Sequence, residues 1–192
     1  ESGPFVHSEA LRNGIIQGLA MICNLSGTQL SCSAETINFE AIMLIRNLFD
    51  ESNSSTWISL DSHLPTVAEI HPTEYLSCLE RQIINTPQNI ESLFPKNGDN
   101  LLFSRNFICS ILWSLEGLAW NEKYFVKCIR ILGQISKLKF DKTNSSNTPI
   151  NSIISVMLPW HIQTLATKEK QKNAIKALQQ ECPDVAWIVI KG

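Results

Sequence analysis

Ser59, Asp61, Ser62 and His63 lie in one short stretch and carry the groups a hydrolase uses: a hydroxyl to attack, an imidazole to take its proton and a carboxylate to orient the ring. The same positions suit a plainer purpose. Asp61 and Ser62 precede Pro65 where a helix can begin, and side-chain oxygens there satisfy the free N–H groups of a first turn. Capping accounts for both residues, and no G-x-S-x-G turn offers a raised serine elsewhere. The other histidines, His7, His71 and His161, show no H-E-x-x-H or paired-ligand spacing, so no zinc site is expected. A phosphate loop needs glycines that let backbone N–H groups close around the anion. Pro95-Lys96-Asn97-Gly98-Asp99 has neither the spacing nor the following lysine. The eight glycines are scattered, and no dinucleotide-binding turn occurs. No catalytic, cofactor-binding or metal-ligating residue is assigned, and no cofactor is expected.

One compact group remains, Leu158-Pro159-Trp160-His161-Ile162-Gln163-Thr164. A proline-stopped corner of this kind can act as a rigid joint, with Trp160 packed and His161 or Gln163 bonded to helix ends. The alternative makes Trp160, His161 and Gln163 an exposed recognition corner. Trp57, Trp113, Trp120, Trp160 and Trp187 are read as core staples rather than ligand platforms.

The elements that would position these groups are helices. Phe107, Ile108, Ile111, Leu112, Leu115, Leu118 and Ala119 recur at three- and four-residue steps. After Trp120-Asn121 the pattern resumes with Tyr124, Phe125, Cys128, Ile129, Leu132, Ile135 and Leu138. Two helices joined by so short a link fold back on each other. A first helix is expected from about Phe5 to Leu25, burying Leu11, Ile15, Ile16, Leu19, Ile22 and Cys23. Gly14 and Gly18 within it suggest a closely approaching neighbour, because each costs about 1 kcal/mol against alanine. Ser33 suits the N-cap of a helix through Phe49, with Ile37, Ala41, Leu44, Ile45 and Leu48 on one face. Shorter helices follow to Ile70, from Pro72 to Ile84 and around Ile90 to Phe94. The chain then offers Pro149 to Met157, a charged helix from Lys168 to Glu181 capped by Thr167, and a last one opened by Pro183. Asp141 to Asn147 is the most polar connector. Strict alternation is absent, so the fold class is all-α: about nine helices in antiparallel pairs, as a helical-repeat (solenoid-like) or irregular bundle segment. Residues 1–192 read as a single α-helical domain, with a subdivision into 1–100 and 101–192 left open.

Composition agrees with a globular chain. Apolar residues make up 44% of 192 and the net charge is −2. That small value conceals an asymmetry: residues 1–120 hold 5 Lys/Arg against 13 Asp/Glu, and residues 121–192 hold 11 against 5. The two signs suit solvated faces that attract each other or a neighbouring repeat. Lys168, Lys170, Lys172 and Lys176 alternate with Glu169 and Gln171 and lack interleaved aromatics, so nucleic acid is not an expected partner. Cys23, Cys32, Cys78, Cys109, Cys128 and Cys182 form no C-x-x-C pair and are read as reduced, mostly buried thiols of a cytoplasmic protein. The Asn-x-Ser triplets at Asn24, Asn53 and Asn144 are read as chance matches in turns. No apolar run reaches the roughly 18 residues of a membrane span, so no membrane partner is expected. The absent initiator Met and the apolar run Trp187 to Ile190 suggest a piece of a larger protein.

Several blocks resemble large bacterial STAND-type NTPases. They are Ala10-Leu11-Arg12-Asn13-Gly14, Trp57-Ile58-Ser59-Leu60 with Leu64-Pro65, and Ser104-Arg105-Asn106-Phe107 with Leu112-Trp113-Ser114-Leu115-Glu116-Gly117-Leu118-Ala119-Trp120, Tyr124 and Ile131-Leu132-Gly133. Thr148-Pro149-Ile150-Asn151-Ser152-Ile153, Leu158 to Thr164, and Pro183-Asp184-Val185-Ala186-Trp187 follow in the same order, so the likeness covers most of the chain. Such proteins are similar to antiviral-defence ATPases that join an effector, an NTPase module and a helical-repeat sensor. None of the NTPase signature residues is present here, so no catalytic residue carries over. The resemblance implies a non-enzymatic segment that binds a protein partner, or adjacent domains of its own polypeptide, and senses or relays. The alternative is a structural helical spacer between effector and NTPase modules.

Overall fold

Five helices carry proline in their first turn, where its missing N–H costs nothing and its fixed φ favours the helix. Side-chain caps set several of the same boundaries. Asn53 accepts from Ser55 and Thr56, Thr148 from Asn151, and Thr167 from Lys170. The computed structural model describes residues 8–25, 34–50, 53–95, 106–140, 146–158 and 164–191. Among these, the chain is all-α with eleven helices and no strand: α1 (Glu9–Leu25), α2 (Ala34–Phe49), α3 (Ser54–Ser59), α4 (Leu64–Ile70), α5 (Pro72–Asn85), α6 (Pro87–Glu91), α7 (Ile108–Ala119), α8 (Phe125–Ile135), α9 (Pro149–Met157), α10 (Lys168–Glu181) and α11 (Pro183–Lys191).

The helices pack in two rows. In one row α1 lies on α4, α4 on α7, α7 on α9 and α9 on α11; in the other α2 lies on α5, α5 on α8 and α8 on α10. Each step pairs a helix with its counterpart from the preceding hairpin, the arrangement of a helical-repeat stack. One apolar core runs through it, from Ala20 to Ala186. Phe49, Trp57 and Tyr75 cluster where α2, α3 and α5 meet, with Phe49 and Trp57 ring centroids 4.4 Å apart and Tyr75 edge-on to both. The Tyr75 hydroxyl is satisfied by Ser114 of α7 at 2.8 Å. Gln82, buried in α5, donates to the Phe49 carbonyl at 2.9 Å and accepts from Thr86 and Asn89, so its amide ties the end of α2 to the turn before α6.

Five expectations need correction. The described residues hold eleven helices rather than about nine, among them the short α3 that Asn53 caps. Asp61 and Ser62 cap nothing: a 3-10 turn spans Asp61–His63, and Asp61 accepts a hydrogen bond from the buried Ser110 of α7. On α1, Ile16, Leu19 and Cys23 pack against the core as expected, with Ala20 buried beside them, but Leu11, Ile15 and Ile22 are exposed. Gly14 and Gly18 meet no close neighbour, since a Cβ at either would find nothing within 4 Å. Trp57 is the staple expected, but Trp113, Trp120 and Trp187 are each more than half exposed. Cys32, Ser33, the loop from Lys96 to Asp99, residues 141–145, and Trp160, His161 and Gln163 lie outside the described residues.

Candidate functional site

On α7 the buried stripe is Ile108, Ile111, Leu112, Leu115, Leu118 and Ala119. Trp113 and Gly117, with Trp120 just past the last turn, fall at i, i+4 and i+7 and so share the opposite face. Both indoles are 52% exposed. A Cβ on Gly117 would meet nothing within 4 Å, and the glycine lines the same cleft as both tryptophans. Glycine in a helix interior costs about 1 kcal/mol against alanine, and no packing partner here requires it. The open backbone at Gly117, with an exposed tryptophan one turn before it and another one turn after, forms a slot.

The slot opens into a cleft of about 490 Å³ between the end of α7, the end of α4 and the start of α5. His71, Lys123 and Tyr124 line it together with the tryptophans, and Glu69 contributes a carboxylate. His71 is held by its place as N-cap of α5. Its Nδ1 accepts the Glu74 N–H at 3.1 Å, which assigns the ring proton to Nε2. Burial lowers the pKa of His71 and the nearby Lys123 and Arg46 push the same way, against the Glu74 carboxylate, so the ring is neutral at neutral pH. Lys123 stands over the Tyr124 ring at 5.2 Å and has no carboxylate partner among the described residues. Its backbone N–H is held by the Asn121 side chain at 2.9 Å, which orders the turn between α7 and α8.

The chemistry this permits is recognition. Indole faces stack, Lys123 attracts an anion, and His71 and Asn121 supply polar contacts. The group read at Ser59, Asp61, Ser62 and His63 does not converge. Ser59 donates to the Thr56 carbonyl at 2.8 Å, Asp61 is engaged by Ser110, and His63 is buried with no partner for Nε2 among the described residues. No three His, Cys, Asp or Glu side chains of the described residues are grouped as metal ligands, and no described helix is long and apolar enough to cross a membrane.

Trp160, His161 and Gln163 are outside the described residues, but the chain emerging from them is anchored at this site. Thr164 donates to the Ala119 carbonyl at 2.7 Å and the Leu165 N–H to the Trp120 carbonyl at 2.9 Å, both at the C-terminal end of α7. The sequence signal for the slot was the W-x-x-x-G-x-x-W spacing, lying off the apolar stripe of its own helix. No family model, curated protein or solved structure matches this chain.

Proposed function

We propose that this chain is a non-enzymatic α-helical segment that binds a protein partner, or an adjacent part of its own polypeptide, and relays that contact within a larger cytoplasmic STAND-like NTPase. The observation that carries the reading is the slot formed by Trp113, Gly117 and Trp120 above the polar cleft. Exposed aromatic side chains beside a concave polar surface are characteristic of binding residues, and a repeat stack offers a long surface for such contacts. An extended segment fits: its backbone can cross Gly117 while a side chain lies against each indole. Because α7 packs on α4, α8 and α9, a ligand seated there touches the middle helix of one row, which also packs against the other. The resemblance to STAND NTPases supports the wider assignment and, with it, a place in bacterial antiviral defence.

Affinity capture with the full-length protein against phage structural proteins tests this. Gly117→Leu fills the slot without disturbing a neighbour, so capture is expected to fail while thermal stability is kept or raised. Capture that survives both Gly117→Leu and Trp113→Ala overturns the slot. Capture of none of these proteins, with the parent's ATPase intact, overturns the sensor reading and favours the spacer.

A further inference from the structure

The cleft below the slot holds charges of both signs that nothing in the described chain neutralises. Glu69, in the last turn of α4, is exposed and makes no ion pair among the described residues. It also lines an adjoining hollow with Gln17, Met21 and Asn24 of α1, which places it on the α1 side of the cleft. Lys123 stands where α8 begins and is likewise exposed, with no carboxylate partner among the described residues. The two do not pair with each other. Neighbouring charges are already engaged, Glu74 by Arg46 and Arg81 and Glu122 by Lys170.

Further groups complement each charge. The His71 Nε2–H has no acceptor among the described residues, and Lys123 is close enough for its charge to act on the ring. A carboxylate entering beside Lys123 therefore meets a cation and a hydrogen-bond donor. Trp113 and Trp120 offer exposed indole faces, the aromatic surface that attracts cations most strongly. A guanidinium or ammonium laid on an indole has Glu69 in the same cleft. Glu116, three residues after Trp113, has no basic partner among the described residues and adds a second negative charge on α7.

We propose that the extended protein segment bound at the slot carries charges of both signs, with an acidic side chain against Lys123 and His71 and a basic one against an indole and Glu69. This rests on the slot proposed above and names the chemistry of its ligand. A purely acidic segment brings like charge against Glu69, and a purely basic one brings it against Lys123. Only a segment of mixed charge satisfies both, and the repulsion of the wrong order fixes the direction in which it lies.

Selection of displayed random peptides with constant flanks on the 192-residue chain, counter-selected on Gly117→Leu, is the test. The expected result is enrichment of sequences that hold one Asp or Glu and one Lys or Arg at a fixed spacing. Synthetic peptides of enriched sequence then give dissociation constants by fluorescence anisotropy. Replacing the peptide's acidic residue by Gln should weaken binding about threefold, and Lys123→Glu about tenfold. Lys123→Glu should regain affinity for the peptide whose acidic residue is exchanged for Lys. Glu69→Lys should do the same for the peptide whose basic residue is exchanged for Glu. Both positions are exposed, and circular dichroism checks that each variant keeps the parental helicity. Should a reversal fail that check, Lys123→Gln and Glu69→Gln decide, each expected to weaken binding about threefold. Gly117-dependent peptides that lack mixed charge, or whose affinity ignores either change, overturn the proposal and leave the slot standing. Selection that yields no Gly117-dependent peptide overturns the slot and this proposal with it.

Discussion

Gly133 of α8 lies beneath Leu178 of α10, so closely that a Cβ on the glycine would sit 2.5 Å from the leucine Cδ2 and 3.4 Å from the Cys182 sulfur. The two helices form the tightest step of their row, and the absent side chain is what lets them approach. Leu178 is buried and cannot swing into solvent. Gly133→Ala is therefore expected to destabilise by about 1–3 kcal/mol through overpacking, against a helix-propensity gain of about 1. Chemical denaturation in a double-mutant cycle checks it. In a Leu178→Ala background the clash disappears, and the same substitution should become neutral or stabilising.

Gly14 and Gly18 call for the opposite result. Both sit inside α1 with open space where a side chain would go. Alanine at either site is expected to stabilise by about 0.5–1 kcal/mol, or roughly 2–4 °C in melting temperature per kcal/mol for a chain of this size. Thermal melts at low protein concentration measure this in the monomer. A destabilised Gly18→Ala would mean that another element packs there.

Where residue type and period coincided with burial, the fold was legible. The stripes of α7 and α8, the cap at Thr167 and the starts at Pro149 and Pro183 lie where the spacing puts them. α1 was different because it is apolar on two sides, and periodicity alone does not say which side faces the core. Asp61 illustrates a second limit. Its partner Ser110 lies 49 residues away, and capping was only the nearest local explanation. Trp113 and Trp120 were misassigned on residue type, although both fall outside the stripe of their own helix; angular position was the better guide. His71 falls between two expected helices, and its service as a cap depends on a ring rotamer that no pattern encodes.

Arg46 of α2 and Arg81 of α5 converge on the carboxylate of Glu74. Arg46 donates at 3.0 and 3.4 Å, Arg81 at 3.1 Å, and Arg81 also holds Asp50 at 2.6 Å. Hydrogen bonding from Arg46 leads in holding the Glu74 pKa below its usual value, against the penalty of burial. A carboxyl depressed in the folded state stabilises above its unfolded pKa of about 4.3 and loses that contribution as pH falls through the folded value. The denaturation midpoint should drop on acidification below that point. Glu74→Gln should be less stable at neutral pH and show a shallower acid limb; an unchanged limb would assign it to other carboxylates.

His71 gives an earlier step in the same titration. Its lowered pKa, set first by burial, means that the unfolded chain takes up the proton before the folded one as pH falls below about 6.5. Stability therefore declines with falling pH, and a protonated Nδ1 can no longer accept the Glu74 N–H. His71→Asn retains a capping acceptor without a titrating ring, so it should flatten the stability profile as pH falls below about 6.5. His71→Ala should flatten it too while costing about 1 kcal/mol at neutral pH. A slope that persists in both variants would show that another group titrates there.

Cys78 and Cys128 have thiol pKa values pushed up to about 12, chiefly by burial, and burial also raises those of Cys109 and Cys182. The thiolate is the reacting species, so these side chains are protonated and inert at neutral pH while the stack is closed. Labelling with an aromatic disulfide reagent should leave Cys78 and Cys128 unmodified on the timescale of an exposed thiol and modify them at once in denaturant. Cys78→Ser and Cys128→Ser should leave any fast native phase unchanged. Loss of a fast phase in either variant would place that thiol outside the closed core. If native labelling of the two sites accelerates when Gly133→Ala is introduced, the joint between α8 and α10 controls access to Cys128. Cys78, in α5, should respond less, since its helix packs chiefly on α2, α6 and α8.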